Sequence, residues 1–139
     1  MYLTYAEYQG YGGTLSNTEF NNYEFRAASA IDYRTFDRLK QETVIPETVK
    51  RLMFQLIGLL QKLDSTMSLG QQGGGDANSH GSVTSYSNDG VSVSYNGMAS
   101  TDLYTVTEQQ IQKTIEQSLS GVVNSLGRKL LYRGLYPGE

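Results

Sequence analysis

The chain of 139 residues has no cysteine, no tryptophan, a single histidine and only two prolines. The lack of cysteine excludes disulfide bonds and cysteine-ligated metals, and it leaves the cellular compartment open. No apolar run approaches the roughly 18 residues of a membrane span, so no membrane association is expected. The opening MYLTYAEYQG does not join a basic start to an apolar stretch. No secretory signal is therefore expected, and we expect a cytosolic product.

The chain also lacks a surplus of basic residues. Eleven Lys and Arg stand against fourteen Asp and Glu, for a net charge of −3. Strong nucleic-acid binders carry clustered basic residues, because neutralising phosphates drives their affinity. The stretch EFRAASAIDYRTFDRLK mixes arginine with aromatics, but its acids balance its bases. We interpret it as a face that packs on the core rather than one that binds nucleic acid.

No set of residues typical of catalysis stands out. His80 is the single histidine and lies in a Gly/Ser-rich stretch, so no Ser-His-Asp or Cys-His arrangement can be proposed. The segment GQQGGGD follows no strand and no Lys-Ser or Lys-Thr comes after it, so it fails as a phosphate-binding loop. The carboxylate pairs Glu42/Glu47 and Asp32/Asp37 are interpreted as solvated caps and helix faces. We expect no enzyme activity, no metal and no cofactor.

Helix signals dominate the first half of the chain. Capping boxes at Thr4 and Ser16 predict a short helix ending at Gly10 and a second helix over 17–33. Pro46 suits the start of a third helix, in which Gly58 is a candidate close helix contact. Apolar residues recur in this third helix at steps of three and four, at Val49, Leu52, Met53, Leu56, Ile57, Leu60 and Leu63.

A last helix is expected over 105–131, with a capping box formed by Thr105 and Glu108. Its apolar positions are Ile111, Ile115, Leu119, Val122, Leu126 and Leu130. Gly121 and Gly127 are expected to weaken this helix without breaking it. Arg128 and Lys129 would complement the dipole at its end. The residues 132–139 are then expected to form an arm.

Between the helices, SYSNDGVSVSY predicts a β-hairpin. Asp89-Gly90 suits a two-residue type I′ turn, in which both residues need positive φ. The hairpin is expected over 82–97, after a Gly-rich loop over 68–81, and its register groups Thr84, Tyr86, Val91, Val93 and Tyr95 on one face. An isolated hairpin is marginal in water. This face must therefore cover either the chain's own helices or a neighbouring chain, and the residues leave both possibilities open.

These observations predict a single domain over 1–139 of the mainly α class. The expected architecture is a small helical bundle of about four helices, with one protruding β-hairpin and an extended C-terminal arm. The parts are a helical half over 1–67, the loop over 68–81, the hairpin over 82–97, the C-terminal helix over 105–131 and the arm over 132–139. An exposed strand edge would be a template for pairing with another chain.

Several stretches resemble the head–tail connector (adaptor) proteins of long-tailed phages, of the type found in genomes of Gram-positive bacteria. The resemblance covers most of the chain and lies in the combination and order of MYLTYAEYQGYGGTL, FNNYEFRAASAIDYRTFDRLK, IPETVKRLMFQLIGLL, DGVSVSY and LLYRGLY. It implies a non-enzymatic structural protein that assembles as a twelvefold ring under the portal. Such a ring continues the DNA channel and carries the next neck component, a stopper or tail-completion protein. The implied location is the virion, after synthesis in the bacterial cytoplasm.

The resemblance also implies interface residues. The C-terminal tail would engage the portal, and the expected residues are Leu130, Leu131, Tyr132, Leu135 and Tyr136. Tyr86, Val91, Val93 and Tyr95 of the hairpin would meet a neighbouring subunit or the next ring. Deleting 130–139 is expected to abolish portal docking and to leave the helical fold. DNA would pass without specific binding, and acidic residues of 32–47 and of the Gly-rich loop are the first candidates to face the channel.

Two further functions remain as alternatives. The main alternative is a self-contained helical protein-interaction module outside any virion, with the hairpin folded on its own core. A ring protein should oligomerise or bind portal rings, whereas such a module should stay a monomer or dimer. A small hydrolase is retained only for completeness, because no nucleophile and base support it.

Overall fold

Four α-helices make up most of the computed structural model, which describes residues 1–71, 86–88, 91–93 and 100–136. In chain order the helices are α1 (Tyr5–Gly10), α2 (Asn17–Thr35), α3 (Glu47–Gln71) and α4 (Ser100–Leu119). A 3₁₀ helix, Arg38–Gln41, lies between α2 and α3. The expectation of a mainly helical fold with about four helices is confirmed for this part of the chain.

Both capping boxes of the first half are present. The Thr4 hydroxyl accepts the Glu7 backbone N–H at 3.3 Å, and the Glu7 carboxylate accepts the Thr4 N–H at 2.9 Å. Ser16 and Glu19 make the same reciprocal pair at the start of α2. Each box satisfies backbone N–H groups that have no partner inside the helix. The predicted starts of α1 and α2 are therefore confirmed, and α2 continues two residues past the expected end.

Helix α3 forms the centre of the core, because it packs against both α2 and α4. Burying an aliphatic side chain contributes about 1.5–3 kcal/mol to the free energy of folding. The apolar stripe of α3 therefore supplies much of the driving force for folding. All seven residues of the predicted stripe are buried: Val49, Leu52, Met53, Leu56, Ile57, Leu60 and Leu63. From the other helices, the buried residues include Phe20, Ala27 and Ile31 of α2 and Ile115 and Leu119 of α4.

Two details of α3 differ from the expectation. The helix runs to Gln71, so the first four residues of the predicted 68–81 loop belong to it. A Cβ placed on Gly58 would meet no heavy atom within 4 Å. The interpretation of Gly58 as a close helix contact is therefore wrong. This glycine leaves open space beside the helix.

The expectation of a single helix over 105–131 is also wrong. Helix α4 begins at Ser100, so Thr105 lies inside it and is not its N-cap. It ends at Leu119, two residues before Gly121, whose φ is +87°. A glycine in this left-handed region just past a helix end is a common stop signal. The chain then turns at Gly127, with φ +72°, and Val123 pairs with Lys129 across the turn.

A pair of short antiparallel strands lies between α3 and α4, β1 (Tyr86–Asn88) and β2 (Val91–Val93). Tyr86 pairs with Val93 and Asn88 with Val91, which is the register that the sequence predicts. The predicted turn at Asp89-Gly90, the rest of the predicted hairpin over 82–97 and His80 lie outside the described residues. A hairpin that protrudes from the bundle therefore stays a prediction.

Candidate interaction surface

The carboxylates Asp32 and Asp37 take part in structural contacts. The Tyr2 hydroxyl donates to Asp32, and Lys40 lies 3.5 Å from Asp32 and 2.7 Å from Asp37. Burial, together with the bond to Asp32, raises the pKa of the Tyr2 phenol. The Tyr2 N–H also donates to the buried Glu24 at 2.7 Å. These contacts hold the start of the chain against α2.

Glu42 and Glu47 are likewise engaged, and they lie in different contacts. Glu42 accepts the backbone N–H and the hydroxyl of Ser125, each at 3.1 Å. Glu47 accepts the Tyr11 hydroxyl at 2.7 Å and lies 3.2 Å from Arg51. The Tyr11 bond is the main cause that lowers the pKa of Glu47. Within the described ranges, no group of three or more His, Cys, Asp or Glu is placed to hold a metal ion.

Arg38 joins the C-terminal segment to the helical body. It is the first residue of the 3₁₀ helix and only 4% exposed. Its Nη1 donates to the carbonyls of Leu130, at 3.3 Å, and of Tyr132, and its Nη2 donates to the Gly134 carbonyl at 2.7 Å. Only the planar fork of a guanidinium offers several donors in fixed directions. One side chain therefore fixes the path of the backbone from 130 to 134.

The turn before Arg38 has an unusual backbone. Phe36 has φ +54° and Asp37 has φ +59°, so two consecutive residues that are not glycine occupy the left-handed region. For a bulky residue this conformation is a genuine outlier, and such positions concentrate at binding sites and switches. In this turn the Phe36 side chain is 54% exposed. Its ring centre lies 5.5 Å from the Arg38 guanidinium carbon.

The five C-terminal residues predicted for the portal interface differ in how far they are exposed. Leu130 is fully buried in the chain's own core, so it is not available to a partner, and its assignment to the interface is corrected. Leu131 and Tyr136 are half-buried, while Tyr132 is 49% and Leu135 is 83% exposed. The ring centres of Tyr132 and Tyr136 lie 4.9 Å apart.

The same contacts bear on the predicted arm. Its described part, 132–136, lies against Arg38 of its own chain, and residues 137–139 lie outside the described ranges. An arm that extends away from the bundle therefore stays a prediction. A deletion of 130–139 would also remove Leu130 from the core, so the expectation that it leaves the fold intact is dropped.

A groove of about 500 Å³ opens where the C-terminal segment meets the Phe36 turn. We call it the C-terminal groove. Three of its apolar side chains are well exposed, since Phe36, Leu126 and Leu135 are 54%, 68% and 83% accessible. It is lined by Phe36, Arg38, Gln41, Leu126, Arg128, Arg133, Gly134 and Leu135.

Among the residues that the structure describes, the lining of the C-terminal groove carries three arginines and no acidic residue, although the chain has a net charge of −3. Arg128 is half-buried with its guanidinium carbon 5.3 Å from the Tyr136 ring centre, and Arg133 is exposed. A larger neighbouring cavity of about 720 Å³ shares Phe36 and Arg133 with the groove. That cavity is also lined by Asp32, Asp37, Glu116 and Arg34, so its charges offset one another. The C-terminal groove is therefore a local basic and apolar surface on an acidic chain.

Of the eight residues that line this groove, the sequence predicts only Leu135 as an interface residue. Leu126 was assigned to the apolar stripe of a helix that in fact ends at Leu119. Arg128 was assigned to the dipole of the same helix end, so that role is wrong for Arg128 and for Lys129. Phe36 and Arg133 were not singled out. The available signal in the sequence is Gly121, because a glycine just past a helix end can end the helix and turn the backbone that follows.

Three of the four residues predicted for the hairpin interface lie in the two short strands. Tyr86 belongs to β1, and Val91 and Val93 belong to β2. Tyr95 lies outside the described residues. The assignment of these four residues to an interface stays a prediction.

Comparison of the chain with protein-family models, with curated proteins and with solved structures found no match. Among the described helices, none combines the length and the hydropathy needed to cross a membrane.

Proposed function

We propose that this chain is a structural protein of a phage neck. It forms a ring, expected to be twelvefold, that joins the portal to the stopper or tail-completion protein and continues the DNA channel. The observation that carries the proposal is the C-terminal groove, where Leu126 and Leu135 are exposed beside Phe36 on a helical body. The ordered resemblance to head–tail connectors names the assembly in which such a surface would be used.

An exposed apolar cluster supports an interface. Removing apolar side chains from water lowers the free energy. Contiguous exposed apolar side chains mark interaction sites on soluble proteins. Closed rings need two different surfaces on each subunit, since each copy contacts the next in a head-to-tail manner. In this proposal the C-terminal side, with Leu131, Tyr132, Leu135 and Tyr136, contacts the portal. The hairpin protrudes and contacts a neighbouring copy or the next ring.

The remaining parts of the proposal follow from that role. The protein acts in the virion at the head–tail interface, without enzymatic activity and without a cofactor. The segment 132–139 acts as the C-terminal arm that engages the portal. DNA passes through the ring without specific binding.

A second candidate is the self-contained helical interaction module. The contacts of Arg38 with the carbonyls of Leu130, Tyr132 and Gly134 favour it, because they close the C-terminal segment on its own subunit. In this case the chain stays a monomer or dimer, and the C-terminal groove serves a single partner rather than a ring.

The deciding experiment is the particle mass of the purified protein, alone and after mixing with the portal from the same genome. A ring-sized mass or co-migration with the portal supports the neck role. A small mass in both samples, without portal binding, removes that role and leaves the interaction module.

Matched variants connect the mass measurement to the groove. Leu126→Ser and Leu135→Ser remove exposed apolar groups and should weaken portal binding about tenfold or more, which corresponds to about 1.4 kcal/mol. Val44→Ser is the control, because Val44 is 78% exposed and does not line the groove. Equal binding by all three variants would exclude the C-terminal groove as the portal contact.

A further inference from the structure

The C-terminal groove has a charge opposite to that of the whole chain. Within the described part of the chain, its lining holds Arg38, Arg128 and Arg133 and no Asp or Glu, while the whole chain has three more acidic than basic residues. On an acidic protein, a local basic surface creates a potential that attracts acidic groups and repels basic ones. The charge of the groove therefore constrains the chemistry of whatever it binds.

The three arginines do not have the same task. The Arg38 guanidinium donates to three backbone carbonyls and so holds the floor of the groove in place. Arg128 and Arg133 lie at the surface, half-buried and exposed respectively. An arginine fork matches the two oxygens of a carboxylate, which gives direction as well as attraction.

Apolar groups complete the pattern. Phe36, Leu126 and Leu135 offer one aromatic and two aliphatic side chains in the same groove as the arginines. The Phe36 ring is held there by a backbone conformation that is costly for a bulky residue. Packing these side chains against apolar side chains of a partner would lower the free energy of the complex.

We propose that the C-terminal groove binds an acidic segment of a partner protein. The segment places an apolar side chain against Phe36, Leu126 and Leu135 and directs carboxylates to Arg128 and Arg133. This inference rests on the proposed role of the groove as an interface, and it adds the chemical class of the partner. Neither the resemblance nor the hairpin is needed for it.

The apolar residues favour a protein partner over a nucleic acid. A nucleic-acid groove would pair arginines with phosphates and use aromatic rings for base stacking. Leu126 and Leu135 contribute nothing to phosphate binding, and the net charge of −3 repels a polyanion at long range. Both features suit a short acidic peptide that carries apolar side chains.

Selection from a yeast-displayed library of random peptides tests the proposal without presupposing the partner. Peptides that bind the double variant Leu126→Ser/Leu135→Ser are first removed from the library. The remaining peptides are then selected for binding to the wild-type protein. We expect the selected peptides to be enriched in Asp and Glu together with Leu, Ile or Phe. Selection of basic or neutral peptides, or of none that depends on the groove, would overturn the proposal.

Charge reversal then tests the role of the arginines. Arg128→Glu/Arg133→Glu should weaken a selected peptide about tenfold or more in fluorescence anisotropy, and added salt should weaken the wild-type complex. Lys113→Glu is the control, because Lys113 is exposed and does not line the groove. Circular dichroism establishes that the variants are folded. Equal affinity of the double variant and the wild type would overturn the assignment of the arginines.

Two outcomes separate this inference from the proposed function. If duplex DNA binds the wild type and not Arg128→Glu/Arg133→Glu, the groove takes phosphates and the inference is wrong. If the portal binds but the selected peptides are not acidic, the neck role stands and the inference alone falls.

Discussion

Arg38 shows how one side chain can organise a distant part of the chain. It is 4% exposed and donates to carbonyls more than 90 positions further along the sequence. Hydrogen bonds that involve a charged group contribute about 1.5–3 kcal/mol. Arg38→Met keeps the apolar stem and removes the donors, so we expect the free energy of unfolding to fall by about 2 kcal/mol or more. Urea unfolding followed by circular dichroism measures this change.

Arg51→Met is the matched control for that experiment. Arg51 pairs with Glu47 at 3.2 Å, but its side chain is 70% exposed. Exposed ion pairs contribute about 0–1 kcal/mol, so this variant should unfold close to the wild-type midpoint. A loss in Arg38→Met no greater than that in Arg51→Met would contradict the role of Arg38 as an anchor.

Glu7 links the stability of α1 to pH. The ion pair with Lys50, followed by the bonds from Thr4, lowers the pKa of Glu7 from 4.5 to about 2. A carboxyl group with a lowered pKa in the folded state stabilises the protein above its unfolded pKa, and this contribution is lost as the pH falls. Between pH 4.5 and about 2, the wild type should therefore lose stability more steeply than Glu7→Gln.

Glutamine is the informative substitution because it can replace glutamate in a capping box. Glu7→Gln removes the charge that Lys50 binds and keeps the cap of α1. Glu19→Gln is the comparison, since the pKa of Glu19 is lowered by bonds from Ser16 alone. Urea midpoints measured across this pH range check the slopes. Parallel slopes for wild type and Glu7→Gln would exclude a contribution from the Lys50 pair.

At the scale of elements, the segment after α4 belongs to the fold and not only to the interface. Leu130 is fully buried, and the carbonyls of Leu130, Tyr132 and Gly134 bind Arg38. Truncating a buried leucine to alanine costs about 2–5 kcal/mol. We therefore expect deletion of 130–139 to lower the free energy of unfolding by at least about 3 kcal/mol. Thermal unfolding measures the change, and Leu135→Ser, at a residue that is 83% exposed, should leave the melting temperature near that of wild type. Equal melting temperatures for the deletion and for Leu135→Ser would contradict the packing of Leu130.

Gly58 provides an opposite case, in which a substitution should stabilise its helix. A Cβ at this position meets no heavy atom within 4 Å, and alanine is more favourable than glycine in a helix by about 1 kcal/mol. Gly58→Ala should therefore raise the free energy of unfolding by about 0.5–1 kcal/mol. Gly13→Ala should lower it, because a Cβ there would lie 2.2 Å from the Tyr8 ring. A loss of stability in Gly58→Ala, measured by urea unfolding, would show that the space beside α3 is not open.

Local signals in the sequence predict the helices well where they agree with one another. The boxes at Thr4 and Ser16 and the stripe of α3 are reproduced because capping and burial act within a few residues. The end of α4 was missed because Val122, Leu126 and Leu130 continue the helical period beyond Gly121. The period describes spacing, whereas the positive φ of Gly121 turns the backbone. Periodicity and backbone conformation conflict here, and the backbone determines the path.

The C-terminal groove was beyond prediction for a different reason. Its arginines and apolar residues come from the Phe36 turn with Arg38 and from the segment around 126–135, which Arg38 joins over more than 90 positions of sequence. No local pattern in either segment indicates the other. The same two segments also collect basic residues on one side of an acidic chain, so the charge of the whole molecule does not describe its surface.

The net charge of the whole molecule still predicts its affinity for duplex DNA. Nucleic-acid affinity comes mainly from phosphates neutralised by Lys and Arg, and it falls steeply with salt. With a net charge of −3, the chain should show no saturable binding to duplex DNA at physiological ionic strength. This is also what a DNA channel requires, because a strongly basic lining would slow a sliding duplex.

Fluorescence anisotropy with a labelled duplex of random sequence checks this expectation, with the wild type and Arg128→Glu/Arg133→Glu compared over a salt series. Tight binding by the wild type with a steep salt dependence would contradict it. If the double variant then lost that binding, the C-terminal groove would be the DNA contact. If both proteins bound equally, the contact would lie on another surface, and the expected passage of DNA without binding would be wrong for that surface.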